Sequence, residues 1–264
     1  MRSTVDGHLS HPAYGRLRRV TDSASVLLAD NPGHMTLEGT NTWVLSAPGS
    51  HEVVVVDPGP DDAEHVARLG ELRNVALVLV SHRHGDHTGA IDQFTAATGA
   101  PVRAVDPDHG RGGTSPLTDG EVIHVAGLRV TVLATPGHTA DSVSFLVDDA
   151  VLTADTVLGR GTTVIDTTDG SLRDYLESLR RLQGLGARMV LPGHGPELPG
   201  ISDVAGVYLA HREERLNQVR AALKALGDDA TARQIVEHVY TDVDEALWDA
   251  AEWSVQAQLD YLRG

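Results

Sequence analysis

Hydrophobic residues in the first two hundred positions come in short runs, separated by segments that contain glycine, proline, asparagine and aspartate. Runs without alternation, such as Glu52–Val56 and Val75–Val80, are typical of strands buried on both faces. Two pairs of runs predict hairpins, one turning at Ala126 and Gly127 and the other at Asp148 and Asp149. The strands that this pattern predicts are Val26–Ala29, Trp43–Ala47, Glu52–Val56, Val75–Val80, Val102–Val105, Glu121–Val125, Leu128–Ala134, Val143–Val147, Val151–Ala154 and Arg188–Leu191.

Helices are predicted where a capping residue precedes an apolar stripe with helical spacing. Asp61 and Glu64 form a capping box that opens one helix, and Thr88–Thr98 is predicted to be a second. A third helix starts at the capping residue Ser171. Its apolar stripe consists of Leu172, Tyr175, Leu176, Leu179 and Leu182.

The pattern changes after Pro199, and from there to Gly264 no strand is predicted. Asp203–Leu226 is predicted to be one long helix. We therefore predict a larger domain over residues 1–200 and a helical tail over residues 201–264. Two further helices of the tail are predicted to open at capping boxes, Thr231 with Gln234 and Asp242 with Glu245.

Composition excludes several classes of protein. The 264 residues include no cysteine, so disulfides and thiolate metal sites are excluded. No apolar run approaches the roughly 18 residues of a membrane span. Met1–Gly15 has no signal-peptide pattern, so we expect a cytoplasmic protein without membrane contact. The formal net charge of −16 argues against a protein that coats nucleic acid, and double-stranded DNA is not an expected partner.

Three of the 14 histidines fall within six residues, directly after the strand Val75–Val80. In an extended segment His82 and His84 point the same way, and a following turn lets Asp86 and His87 face a second point. Imidazole and carboxylate groups are suitable ligands for zinc, manganese or iron. The segment therefore predicts a metal site that can serve two ions.

Three more potential ligands follow the ends of predicted strands, namely His138, Asp155 and His194. A glycine precedes each of the two histidines, which lets the backbone come close to a metal. In this order, these motifs resemble the metallo-β-lactamase superfamily over nearly the whole chain. Asp57 in Val-Asp-Pro-Gly matches the first motif of the superfamily and residues 82–87 match the second.

The resemblance implies an α/β fold, an αββα sandwich of two mixed sheets with helices outside and two metal ions at one edge. Two zinc ions are expected, with manganese or iron as alternatives, and a hydroxide that bridges them would attack the substrate. Asp86 is the candidate for handling the proton, and Asp57 is expected to orient ligands without binding metal. The implied ligands are His82, His84 and His138 for one ion and Asp86, His87 and His194 for the other, with Asp155 bridging both.

Within the superfamily, the chain is most similar to a subgroup with a winged-helix tail, which includes a mitochondrial single-strand endoribonuclease and bacterial relatives. The wing itself is expected to be missing, because the sequence stops at Gly264 where it would begin. β-Lactam hydrolysis is not expected, because true class B β-lactamases lack the bridging aspartate. The similarity is carried by Gly39–Trp43, Leu158–Thr163, the Tyr175 helix, His211–Glu213 and the helices from Thr231 onward.

This resemblance predicts a hydrolase that cleaves phosphodiesters in single-stranded RNA. Thioester or lactone hydrolysis of the hydroxyacylglutathione hydrolase type is an alternative, because those enzymes have the same seven ligands, and a mononuclear iron persulfide dioxygenase is a further one. With two divalent ions, Asp86, Asp155 and a bridging hydroxide, the metal site would carry a charge near +1, which suits a small anionic substrate. Residues 201–264 carry 12 acids and 6 bases, a charge of −6 that weighs against gripping RNA and favours a packing or homodimerisation role.

Five residues are candidates for contact with the substrate: Asn41, Thr42, Arg83, Arg160 and Tyr175. Helical spacing favours a core position for Tyr175, with a hydroxyl that reaches the metals as the alternative. His34 and His109 lie in loops, where they are expected to be exposed unless they assist a leaving group.

Overall fold

Two β-sheets face each other in the computed structural model of the chain, which describes residues 4–5, 8–9, 13–239 and 248–264. The strands in chain order are β1 (Thr4–Val5), β2 (His8–Leu9), β3 (Arg18–Arg19), β4 (Ala24–Leu28), β5 (Asn41–Leu45), β6 (Val53–Val56), β7 (Val75–Leu79), β8 (Val102–Arg103), β9 (Val122–Val125), β10 (Leu128–Ala134), β11 (Val143–Val147), β12 (Ala150–Ala154) and β13 (Met189–Pro192). The helices are α1 (Ala63–Leu69), α2 (Gly85–Thr88), α3 (Ile91–Thr98), α4 (Leu172–Gln183), α5 (Ile201–Leu226), α6 (Ala232–Val239) and α7 (Trp248–Arg263), with a 3-10 turn at Pro107–His109.

Both large sheets are mixed. The first has the order β3-β4-β5-β6-β7-β8 and becomes parallel from β6 onward, and the second has the order β13-β12-β11-β10-β9, with β12 and β13 parallel. Both predicted hairpins are confirmed, since β9 pairs with β10 and β11 with β12. The first hairpin turns through Ala126 and Gly127, which have φ angles of 50° and 72°, as a tight two-residue turn requires.

The core lies between the sheets and continues under the outer helices. Trp43 and Leu79 of the first sheet are buried in the same cluster as Val130 and Phe145 of the second. On the outer faces, α1 and α3 pack on the first sheet, while α4 and α5 pack on the second. Strands covered on both faces explain the runs without alternation, and the αββα sandwich is confirmed.

Two predicted helix positions are wrong in detail. The helix expected over Thr88–Thr98 begins later, as α3 at Ile91, and Thr88 is instead the last residue of the separate short helix α2. Between them, Gly89 lies against the backbone of Asp61, where a side chain would not fit. The cap of α1 is Asp62, whose carboxylate accepts the His65 N–H at 2.7 Å, and not Asp61. Helix α2 begins inside the histidine-rich segment, so the chain turns there between His84 and His87.

The long helix α5 belongs to two cores. Its first half buries Ile201 and Tyr208 against the second sheet, and its second half buries Val219 against α6 and α7. The capping box of Thr231 and Gln234 forms as expected. The box of Asp242 and Glu245 lies outside the described residues, and so does the start of the helix that it is predicted to open.

Every regular element that the structure describes after Pro192 is helical. None of the described helices is long and apolar enough to cross a membrane. The division at residue 200 stays a prediction, because α5 spans from the sandwich into the tail without a break.

We expect a chain that ends at Gly200 to lose its cooperative unfolding transition. It would remove Ile201, Tyr208 and Leu216 from the core, and each large apolar side chain lost from a core costs about 2–5 kcal/mol. That total is comparable to the whole stability of a domain, about 5–15 kcal/mol. A chain that ends at Asp229 keeps α5 and should still melt cooperatively by circular dichroism. Equal melting of the two shortened chains would contradict the shared role of α5.

Candidate metal centre

The residues predicted as metal ligands come from the segments that follow four strands, and Asp86 and His87 lie in the short helix α2. His82, His84, Asp86 and His87 follow β7, His138 follows β10, Asp155 follows β12 and His194 follows β13. The fold brings all seven side chains together into groups that could hold metal ions. Their buried setting differs from that of an exposed histidine-rich loop, since His82, His87 and His194 are at most 1% exposed.

One group of three imidazoles forms the first half of the site. The Nδ1 atom of His84 lies 3.1 Å from His82 Nε2 and 3.0 Å from His138 Nε2. These are the three residues that the family resemblance assigned to one ion.

A second group brings two imidazoles and a carboxylate together. His87 Nε2 lies 3.3 Å from His194 Nε2, and Asp86 Oδ2 lies 3.2 Å from His194 Nε2 and 3.4 Å from His87 Nε2. Thr40 donates its hydroxyl to the same Asp86 oxygen at 3.2 Å, which fixes the carboxylate. This group matches the set that the resemblance assigned to the other ion.

Asp155 lies between the two groups. Its Oδ2 atom is 3.3 Å from His194 Nε2 and 3.7 Å from His138 Nε2, so one carboxylate reaches both sets. Its Oδ1 atom is buried, makes no hydrogen bond within the described residues, and lies 3.4 Å from His87 Nε2. An orphaned buried carboxylate oxygen is costly unless a cation pairs with it, so its position indicates a metal-binding role.

The outer nitrogen of each imidazole is held by an acceptor, which decides where its proton sits. His138 Nδ1 contacts the Val164 carbonyl at 2.6 Å and His194 Nδ1 contacts the Gly39 carbonyl at 3.1 Å. A carbonyl oxygen can only accept, so both nitrogens donate. Each neutral ring therefore presents the lone pair of its Nε2 atom to the site.

Carboxylates fix the remaining rings in the same way. His84 Nε2 donates to Asp166 Oδ2 at 2.8 Å, and His87 Nδ1 donates to Asp57 Oδ2 at 2.9 Å. The Ser81 hydroxyl donates a hydrogen bond to Asp57 Oδ2, so its oxygen accepts a hydrogen bond from His82 Nδ1 at 2.9 Å. In their neutral tautomers, all five imidazoles would thus point lone pairs inward.

Convergent lone pairs at these distances fit bound cations. Two nitrogens that bind one tetrahedral ion at about 2.0–2.1 Å lie about 3.3 Å apart. The nitrogens of the two groups are 3.0–3.3 Å apart with no proton between them in the neutral tautomers. The donor set, imidazole nitrogen with carboxylate oxygen and no thiolate, suits zinc, manganese or iron.

The electrostatics of the second group favour positive charge. Burial disfavours a charged His87 and His194, but the Asp155 carboxylate, with Asp86 beside it, outweighs burial. These carboxylates raise the pKa of His87 well above its usual range and that of His194 to about 9. Burial instead lowers the pKa of His82. A cation, either proton or metal, is therefore stabilised between the carboxylates.

Sequence reasoning missed the residues that hold the ligands from outside, except Asp57. Asp57 accepts from Ser81 N–H at 2.7 Å as well as from His87, and it contacts ligands rather than their inward atoms. Asp166, which holds His84, lies in the loop before α4 with no motif around it. The role of the Gly39 and Val164 carbonyls could not be predicted from the sequence, because any residue supplies a carbonyl, although Gly39 lies in a segment that carries the family similarity.

Two of the proposed substrate residues are held away from the cleft. Tyr175 is fully buried and donates its hydroxyl to the Thr156 carbonyl at 2.8 Å, so the core position is correct and the reach to the metals is not. Thr42 is also fully buried, and its hydroxyl bonds His65 at 2.9 Å. Buried side chains with satisfied polar groups cannot bind substrate without rearrangement.

The other three are near the ligand loops but engaged with protein groups. Arg83 contacts Asp166 at 3.0 Å, Arg160 pairs with Glu38, and the Asn41 amide donates to the Pro192 and Gly195 carbonyls on either side of the His194 loop. Asn41 thereby positions a ligand loop, and Arg160 lines the pocket at the metal centre.

The two loop histidines are placed differently. His34 lines the same pocket as His138 and Asp155. His109 lies in the 3-10 turn Pro107–His109, beside β8. Only His34 is therefore placed where it can meet a leaving group.

Comparison with known protein families agrees with this geometry. The model of the metallo-beta-lactamase superfamily matches residues 35–194, which contain all seven ligands and Asp57. The chain belongs to the metallo-β-lactamase superfamily. The model of the beta-lactamase associated winged helix domain matches residues 231–263, so the resemblance to the subgroup with this tail is confirmed.

Several known proteins are similar to this chain over most of its length. A beta-lactamase-like protein 2 homolog of Caenorhabditis elegans is 30% identical over 93% of this chain and 86% of its own length. An atrochrysone carboxyl ACP thioesterase of Aspergillus fumigatus is 32% identical over 81% of this chain and 72% of its own length. The structure of a beta-lactamase domain protein from Burkholderia ambifaria shares the fold, with a TM-score of 0.80, 21% identity, and coverage of 96% of this chain and 89% of that one. The chain is a metal-dependent hydrolase of this superfamily.

We expect Asp57→Asn to weaken zinc binding by about 10–100-fold, as is usual when a group that orients a metal ligand is changed. Asparagine keeps the shape and tolerates the φ of 54° at this position, but its amide cannot accept all three hydrogen bonds. Competition with a chromophoric chelator measures the affinity. The matched control is Asp148→Asn, at an exposed turn with φ of 49°. Equal affinities of the two variants would show that Asp57 does not support the site.

We expect Tyr175→Phe to lower the free energy of unfolding by about 1 kcal/mol, the net contribution of one hydrogen bond, and to leave kcat nearly unchanged. Urea unfolding and steady-state kinetics measure the two quantities. A large loss of kcat at unchanged stability would instead place the hydroxyl in the reaction.

Proposed function

We propose that this chain hydrolyses acyl thioesters, with two divalent metal ions, zinc in the first instance, held by the His and Asp groups described above. The observation that carries the proposal is the pocket at the ligands. It has a volume of about 150 Å³, it is lined by His138 and Asp155, and much of its remaining wall is apolar. The apolar part consists of Met35, Leu37, Leu158 and Val164. Such a pocket suits an acyl chain whose carbonyl lies at the ligands.

The metal ions, when bound, supply a water of lowered pKa and stabilise negative charge on the carbonyl oxygen. The residues of the chain hold and orient the reacting groups. Asp86, fixed by Thr40, is the carboxylate placed to accept a proton at its Oδ2 atom. Asp155 contacts His138 of one ligand group and His194 of the other and so links the two groups.

The leaving group also favours a thioester. A thiol has a pKa of about 8.5, so a thiolate can leave without a strong proton donor. Among the described residues that line the pocket outside the ligand set, His34 is the only imidazole, and the other polar side chains are those of Arg160, Thr162 and Thr163. A site with so little acid assistance suits thiolate expulsion better than expulsion of an alkoxide, whose conjugate acid is far weaker. The thioesterase name of the Aspergillus fumigatus relative supports the same reaction class.

Cleavage of single-stranded RNA is the second candidate, and the match to the winged helix domain at residues 231–263 favours it. The charges favour it less. Arg83 and Arg160 beside the site are both paired with carboxylates, and residues 201–264 carry a net charge of −6. A polyanion needs unpaired cations along its path.

We expect the zinc-loaded protein to hydrolyse the butyryl thioester of N-acetylcysteamine, and to cleave single-stranded RNA and nitrophenyl phosphodiesters far more slowly. His84→Ala and Asp155→Ala should each lower kcat by at least about 100-fold, because each removes a ligand. His124→Ala is the matched control, since His124 is exposed on β9 outside the site, and it should keep full activity. Release of thiol and electrophoresis of labelled RNA measure the two reactions. Faster RNA cleavage than thioester hydrolysis, lost in the same two variants, would establish the second candidate instead.

A further inference from the structure

A second cavity, of about 400 Å³, shares part of its lining with the pocket at the metal centre. Arg160 lines both cavities, and the consecutive residues Leu37 and Glu38 line one each. Gly195, which directly follows the ligand His194, lines the second cavity as well. A molecule whose reacting carbonyl lies at the ligands could therefore continue past Arg160 into this space.

The lining of the second cavity is part apolar and part charged. Val26, Leu28 and Pro196 supply apolar surface. The charged residues are Arg16, Arg18, Arg160, Glu38 and Glu197, three cations against two anions. In a protein of net charge −16, this lining is locally positive.

Two of the three arginines are already neutralised. Arg18 pairs with Glu197, and Arg160 pairs with Glu38. Arg16 is exposed and, within the part of the chain that the structure describes, makes no ion pair or side-chain hydrogen bond. Its guanidinium is thus the cation of this cavity that is available to an anionic ligand, and guanidinium binds phosphate and carboxylate in the same planar geometry.

We propose that this cavity binds the thiol portion of the substrate and that Arg16 pairs with an anionic group on it, a phosphate or a carboxylate. The apolar residues contact the arm between the thioester and the anion. The proposal rests on the proposed thioester hydrolysis and narrows its substrate class to thioesters of extended, anionic thiols. A screened surface charge acts over about 8 Å, so the cavity can be locally attractive although the whole protein is acidic.

The test compares three butyryl thioesters that differ only in the thiol. Coenzyme A carries phosphates, glutathione carries carboxylates, and N-acetylcysteamine is neutral. For the zinc-loaded chain we expect Arg16→Gln to raise KM about fivefold, with kcat unchanged, for whichever of the coenzyme A and glutathione thioesters binds through its anion. Arg16→Glu should raise the same KM further. Both variants should leave KM for the neutral thioester unchanged. Arg73→Gln, at an exposed arginine outside the cavity, is the matched control.

A binding measurement separates this inference from the proposed reaction. Calorimetric titration of the metal-free chain with S-butyl-coenzyme A, a thioether that cannot be hydrolysed, should give a Kd that Arg16→Gln raises about fivefold. S-butyl-glutathione serves as the carboxylate arm, and the arm that responds to Arg16 identifies the anion.

The outcomes are distinguishable. Arg16-dependent binding without hydrolysis of any thioester would contradict the proposed function and uphold the anion site. Hydrolysis of the neutral thioester, with KM and Kd for both anionic thiols unaffected by Arg16→Gln and Arg16→Glu, would overturn the anion site and leave the proposed function standing. Equal effects of Arg16→Gln and Arg73→Gln would also overturn it, because the effect would then be one of net charge.

Discussion

The metal centre depends on where five protons sit. Each imidazole donates a hydrogen bond from one ring nitrogen to an acceptor outside the site, which is a backbone carbonyl, a carboxylate or the Ser81 hydroxyl. The other nitrogen therefore directs its lone pair into the site. With all rings neutral, five such lone pairs and the buried carboxylate of Asp155 would repel one another, and a cation, either proton or metal, relieves this repulsion. Two bound cations turn the same arrangement into mutual attraction, so the supporting shell and the metals stabilise each other.

The rest of the fold keeps that shell in place. The long helix α5 packs against the second sheet, and its Tyr208 hydroxyl bonds the backbone of Leu158, in the segment after the bridging Asp155. Arg212 of the same helix bonds the Thr163 carbonyl, one residue before the Val164 carbonyl that holds His138. The tail is thereby connected to the metal centre through packing, which gives it a structural role independent of any contact with substrate.

Charge is distributed so that local and overall effects differ. The chain carries −16, yet the carboxylates of the metal centre attract cations, and the cavity beside it has one arginine more than it has glutamates. Arg83 and Arg160, which lie beside the ligand loops in the sequence and were candidates for contact with an anionic substrate, are paired with Asp166 and Glu38. This pairing favours a thioester with a single anionic contact over a long polyanionic substrate.

The sequence by itself determined the strands buried on both faces and the identity of the ligand groups, and the sandwich followed from the family resemblance that those groups carry. Uninterrupted apolar runs require cover on both faces, and the His-x-His-x-Asp-His segment, together with three further ligands at strand ends, is highly specific for a metal centre. Only the tertiary structure decided that the Tyr175 hydroxyl bonds the Thr156 carbonyl, that Asp166 supports His84, and that Arg160 is paired. The physical reason is the separation along the sequence of the residues that decide each feature. Strand burial and ligand type are written in local patterns, whereas the partner of a carboxylate or guanidinium lies 80 or more residues away, and only packing selects it.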